Sequence, residues 1–306
     1  MHRLLFLVLF FLPGFRASSQ TLPQGATPRG VVFAFLSETA SSSDSIKRAM
    51  FRERLTGEMA SVDPESFAGL LPNGVRFVID SIPDIQNIDD DDSLRRAVAY
   101  VHVTTETGVE DWSLFCAGDS IWRLEAFKRF PTASQASQIR SSLRTIDTTI
   151  AGYGLVRGDL ERLLMGDDSL CVLLRRHQKD IRKILEPLRK GSLWKAFSLR
   201  DVDFARMEEY RELDDDIDEA DKVFFSMDRL AMERLKRSIS LQRVERDGRY
   251  PDAIFFVAGT IGPGSYGYVH ASDPSHLPPV TRREFISLKP AALGWWLYRR
   301  IATNGH

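Results

Sequence analysis

The chain opens on an unbroken apolar run, Leu4 to Leu12, placed behind Met-His-Arg and ahead of Pro13-Gly14 and the small residues Ala17-Ser18-Ser19. A basic start, a short apolar centre, a helix-breaking pair and a small-residue site are the marks of a secretory signal peptide. At about a dozen residues the run is short of the ~20 that cross a bilayer as a helix. Residues 1–19 are therefore expected to be removed, with a mature start at Gln20 and a secreted or periplasmic location. No later stretch has the length of a membrane span.

Further along, residues 20–29 are polar, with two prolines and a glycine, and read as a loose leader. Gly30 to Leu36 is a short apolar run suited to a strand. Ile46, Met50, Leu55 and Met59 lie at helical spacing behind the Ser41–Asp44 cap, which predicts a helix over 45–59. Asp63-Pro64-Glu65 opens a second short helix through Leu71.

A strand block follows, over 75–82, 97–105, 111–117 and 120–127. Pro131 ends it. From Thr132 to about Ser240 the apolar period becomes helical. Ile139, Leu143, Ile146 and Ile150 form one stripe. Leu170, Leu173, Leu174, Ile181, Ile184, Leu185 and Leu188 form another, behind a stop and cap at Gly166-Asp167-Asp168-Ser169. Helices are also expected at 202–213 and 222–239. Strand composition returns at 241–246, 253–259, 265–271, 284–288 and 295–301.

Segregated runs of this kind predict an α+β fold, with two strand-rich blocks of antiparallel meanders on either side of a helical block. The length suits two modest domains, 20–130 and 131–306, with the second helical first and then an antiparallel sheet. Tyr100-Val101-His102 in the first block recurs as Tyr268-Val269-His270 in the second. Each is followed some twenty-odd residues on by a Trp-bearing segment. A weak internal duplication is one reading of that recurrence, and chance likeness between aromatic-rich meanders is the other.

Composition excludes more than it identifies. The 43% hydrophobic content and the balance of 41 Lys+Arg against 42 Asp+Glu argue against disorder and against a basic nucleic-acid binder. Removing residues 1–19 takes away Arg3 and Arg16 and no acid, so the mature chain would carry 39 − 42 = −3. The expected partner is accordingly a protein or other envelope component, not nucleic acid.

Cys116 and Cys171 are the only cysteines. Joined, they would close a loop of about 56 residues, worth roughly 4 kcal/mol in the chain-entropy model. Unjoined, each is a small buried apolar residue, as free cysteine often is.

Candidate chemistry is sparse. Gly262-Pro263-Gly264-Ser265-Tyr266-Gly267-Tyr268-Val269 has the spacing of a phosphate-covering glycine loop. Too few residues follow it to hold the rest of a kinase, and no helix opens there as a dinucleotide site requires. It reads as a turn between strands. The acidic runs at 89–92 and 214–219 lack the alternating ligand spacing of a calcium loop. No paired-cysteine or His-Glu-x-x-His spacing supports zinc, and no cofactor is expected.

Two function classes remain, the first of which the sequence does not distinguish from an envelope structural protein. One is a non-catalytic binding or interaction protein using Tyr100, His102, Tyr268, His270, Trp295 and Trp296. Adjacent Trp295 and Trp296 point to opposite sheet faces, so one can be core and the other a candidate recognition surface, unless a helix covers that face. The other is a hydrolase with His102 or His270 as general base beside an acid such as Asp273.

Overall fold

A computed structural model describes residues 26–40, 49, 51–67, 70–71, 75–85, 94–105, 108–118, 120–130, 133–149, 153–190, 196–198, 228–239, 241–261 and 264–301. The signal-peptide segment, both acidic runs, the 202–213 helix and Gly262-Pro263 lie outside these residues.

The fold is α+β. Strands β1 (Arg76–Ser81), β2 (Asp84–Ile85), β3 (Arg95–Thr105), β4 (Gly108–Gly118) and β5 (Arg123–Phe130) form one antiparallel sheet. Its order is β1-β3-β4-β5, with β2 also on β3. Helices α2 (Ala133–Thr145), α3 (Tyr153–Leu163), α4 (Asp167–Lys190) and α5 (Arg229–Ser238) follow. The second sheet holds β6 (Ala196–Ser198), β7 (Arg243–Arg246), β8 (Ile254–Ile261), β9 (Gly264–His270), β10 (Phe285–Ala292) and β11 (Trp295–Ile301), in the order β10-β11-β9-β8-β7-β6. No helix among the described residues is long and apolar enough to cross a membrane.

Three early expectations are corrected. Gly30–Leu36 is not a strand. Helix α1 covers Pro28–Ala34, and a π-helical turn continues to Ala40. Thr27 caps α1 by accepting the Gly30 N–H at 3.1 Å, and Pro28 stands in its first turn, where a missing N–H costs nothing. An apolar run this short fits a buried helix as well as a strand, and the cap decides.

The 45–59 helix is also interrupted. Phe51–Arg54 and Gly57–Ser61 are separate 3-10 turns. Gly57 sits at φ 54, where an L side chain is strained, and a Cβ there would come within 2.6 Å of Glu125 Cγ. Asp63-Pro64 does open a short turn, but it is a 3-10 segment of four residues, Pro64–Phe67.

Alternation sorts the first sheet into two faces. Ala97, Ala99, Val101, Leu114 and Cys116 face α1 and the 3-10 turns. Val98, Tyr100, Phe115, Ala126 and Phe130 face the other way and share one core with α4, α5 and the inner face of the second sheet. That core draws on both sides of Pro131. Within it the buried stripe of α4 runs Leu170, Leu174, Ile181, Ile184, Leu188. Truncating any one to alanine is expected to cost about 2–5 kcal/mol.

The sheets differ in connection. In the first, β3, β4 and β5 follow one another across the sheet, so the strand after Trp122 does not touch β3. In the second, β11 lies directly beside β9, and β10 is pushed to the edge. The recurring Tyr-Val-His therefore has different neighbours in the two sheets.

Candidate functional site

His102 and Asp111 are directly opposed residues of β3 and β4, on the face turned toward the second sheet. His102 Nδ1 lies 2.5 Å from Asp111 Oδ1. The other Asp111 oxygen, Oδ2, accepts the Asp167 backbone N–H at 2.9 Å and an Arg299 guanidinium N–H at 2.9 Å. A carboxylate of the first sheet thus satisfies an otherwise orphaned amide at the start of α4, where negative charge is favoured.

Asp167 itself takes the remaining charge. Arg299 Nε donates to its Oδ1 at 2.8 Å, and Lys289 Nζ lies 2.7 Å from its Oδ2. Arg299 also donates to the Phe130 carbonyl at 3.1 Å. The side chains of Arg299 and Asp167 are each 3% exposed. The Asp167 carboxyl is held below its ordinary range, because Arg299 and Lys289 outweigh the burial that would raise it.

The cluster opens to solvent at one end. Asp80 is the extra residue where the β1–β3 register shifts between Ile79 and Ser81. Such a bulge re-aims a side chain. Asp80 stands half-exposed, 3.7 Å from His102 Nε2 and 3.8 Å from Lys289 Nζ. Three carboxylates (Asp80, Asp111, Asp167) thus meet two fixed cations (Lys289, Arg299), and His102 adds a third positive charge when protonated. The hydrogen bond to Asp111 raises the His102 pKa above its ordinary 6.5, against the opposing effects of burial and Lys289.

This cluster joins the two sheets. Tyr100 belongs to the same joint: its hydroxyl accepts the Leu288 N–H of edge strand β10 at 3.2 Å, and its ring lies 4.9 Å from Lys289 Nζ. Burial pushes the Tyr100 phenol up to about 12. A second ionic link tightens the same edge. Glu125 pairs with Arg96 at 3.2 Å and with Arg282, and Arg282 also reaches Glu58 at 3.5 Å.

The other expected site residues lie elsewhere. Tyr268 is fully buried and donates to the Leu170 carbonyl at 2.9 Å, fixing α4 on the second sheet. His270 pairs across the ladder with Trp295, and the two rings are 4.9 Å apart. Arg299 is four residues further along β11, about 13 Å at the strand rise. His102 and His270 therefore do not converge. Burial, aided by Arg189, lowers the His270 pKa to about 4.

Asp273 is occupied locally, accepting the Ser275 N–H as the cap of a 3-10 turn. Trp295 is buried against Phe256, so Trp296, half-buried on the opposite face, is the one left near solvent. Cys116 and Cys171 are both free, both buried, and in different cores. Among the described residues no group of three or more His, Cys, Asp or Glu could hold a metal ion.

In comparisons with family models, curated proteins and solved structures, nothing matches this chain.

Of the joint, sequence reasoning found only Tyr100 and His102. The missed residues are Asp80, Asp111, Asp167, Lys289 and Arg299. For two of them a signal existed. Arg299 follows Trp295 and Leu297 at alternate positions of a strand, and Asp111 precedes Ser113 and Phe115 in the same way. A charge on the inward period of a strand is a buried charge, and a buried charge needs a partner.

Proposed function

We propose that this chain is an exported protein that works by binding or interaction and not by catalysis. The observation that supports this reading is the use made of its polar groups. His102 is closed in by Asp111 and Asp80, inside a network whose remaining members tie one sheet to the other. His270 meets Trp295 edge to face some distance away. Among the described residues neither imidazole has among its contacts the hydroxyl or thiol nucleophile that acyl-transfer chemistry requires. Export rests on the Leu4–Leu12 pattern and its flanks. The partner proposed is a protein or other component of the envelope.

A second reading is favoured by one contact. An aspartate on Nδ1, with Nε2 at the open end of the cluster beside the half-exposed Asp80, resembles the way a general-base histidine is oriented. Here that places His102, backed by Asp111, as the base of a hydrolase.

Two experiments separate the readings. Cell fractionation with N-terminal sequencing should find the chain outside the cytosol, beginning at Gln20. Recovery from the cytosol with Met1 retained contradicts export. Esterase and peptidase panels should show no turnover that vanishes on His102→Gln in a folded variant. Such turnover would establish the hydrolase.

A further inference from the structure

A groove of about 360 Å³ opens where α1, the β1–β2 bend and the start of β3 meet. Its walls are Pro28, Ile82 and Trp122 on the apolar side and Arg29, Arg95 and Asp84 on the polar side. The volume lies at the lower end of the range for small-molecule sites. Nothing in the ionic joint contributes to it.

The polar side is not neutral. Arg95 pairs with Asp84 at 3.2 Å, and its guanidinium lies 5.6 Å from the centre of the Trp122 ring. That pair cancels. Arg29 is exposed, and among the described residues no carboxylate pairs with it. Among the described residues the groove therefore carries one surplus guanidinium beside an apolar wall. A guanidinium binds a carboxylate through two parallel N–H bonds, and an apolar wall takes a planar or branched body.

We propose that this groove binds a small free organic acid, with its carboxylate on Arg29 and its apolar body against Pro28, Ile82 and Trp122. The inference rests on the binding reading and names a ligand class for it. Arg95 is held by Asp84 and Trp122, so it shapes the wall and leaves the charge recognition to Arg29. Because Arg29 is exposed, its replacement leaves the core untouched.

The test is a titration of the full chain with phenylacetate, followed by saturation-transfer NMR and tryptophan fluorescence, with phenylacetamide as the uncharged control. Saturable binding is expected, with a Kd of about 1 mM or tighter. The amide should bind at least about 10-fold more weakly, and Arg29→Gln should weaken phenylacetate by at least about 10-fold without changing the circular dichroism spectrum. Absence of saturation, equal affinity for acid and amide, or an unchanged affinity in Arg29→Gln overturns the proposal. A separate arm measures p-nitrophenyl ester hydrolysis. Activity lost on His102→Gln would overturn the binding reading, while the titration alone decides the groove.

Discussion

His102 and His270 close the same tripeptide, Tyr-Val-His, in two antiparallel sheets, and their surroundings are opposite. His102 faces Asp111 across the ladder and Asp80 at its rim, so the charged imidazole is favoured. His270 faces Trp295 and is pressed by burial and Arg189 toward the neutral form, with a pKa near 4. The difference lies in the neighbouring strand, not in the tripeptide. Opposite His102 the sequence supplies an acid on the buried period of β4. Opposite His270 it supplies an indole. Identical short sequences thus carry no shared chemistry unless their cross-strand partners agree.

The two tyrosines differ in the same way. Tyr268 donates its proton to the first turn of α4, inside one layer pair. Tyr100 accepts an N–H from the exposed edge of the other sheet. Burying that edge satisfies a donor that would otherwise be open to pairing with another chain.

The sharpest way to break the comparison is to remove the charge that makes the first site unlike the second. Arg299→Ala leaves Asp111 and Asp167 buried with too few partners. It should cost about 3–5 kcal/mol in denaturant unfolding. Its neighbour Arg300, on the opposite face and paired with Glu284 at 2.7 Å, is a quarter exposed. Arg300→Ala should cost no more than about 1 kcal/mol. Equal losses would show that the joint is no stronger than a surface ion pair.

Tyr268→Phe and Tyr100→Phe come next. Tyr100→Phe strands the Leu288 N–H and should cost about 1–3 kcal/mol, whereas Tyr268→Phe removes only a second donor from a Leu170 carbonyl that keeps its helical partner, and should cost about 1 kcal/mol. Hydrogen exchange should place the loss at the start of α4 in the first variant and along β10 in the second. Loss in the same region for both would contradict the separate roles given to them.

The effects of pH run in opposite senses at the two sites. The His102 pKa is raised by folding, so its contribution is complete below about 6.5 and is lost as pH rises through the folded value. The His270 pKa is lowered, so its contribution is present above about 6.5 and is lost as pH falls toward about 4. Unfolding free energy measured from pH 4 to 9 should lose its alkaline slope in His102→Gln and its acid slope in His270→Phe. The same slope change in both variants would refute the contrast.

Much of the fold was readable because alternation and the helical period report burial directly. β3, β4, β8, β9, β11 and α4 follow from them. Helix α1 was missed because a short apolar run fits a strand as well as a helix, and only Thr27 and Pro28 mark it. The 3-10 turns at 51–61 were read as one helix because Gly57, the break, was passed over in favour of the apolar spacing. The joint was legible only in part. His102 is visible as a lone histidine in a strand, but its partners come from β1, β4, α4, β10 and β11. Their meeting depends on how the sheets dock and on bulges at Asp80 and in β10, which shift the alternation by one. No single stretch of sequence contains that information.

The claim beneath all of this is that His102 is a charged member of a structural joint. NMR titration of the imidazole Cε1–H resonances tests it most directly. The account predicts that His102 titrates above 6.5 and His270 near 4 in the same folded chain. A His102 midpoint at or below that of a solvent-exposed imidazole would contradict it.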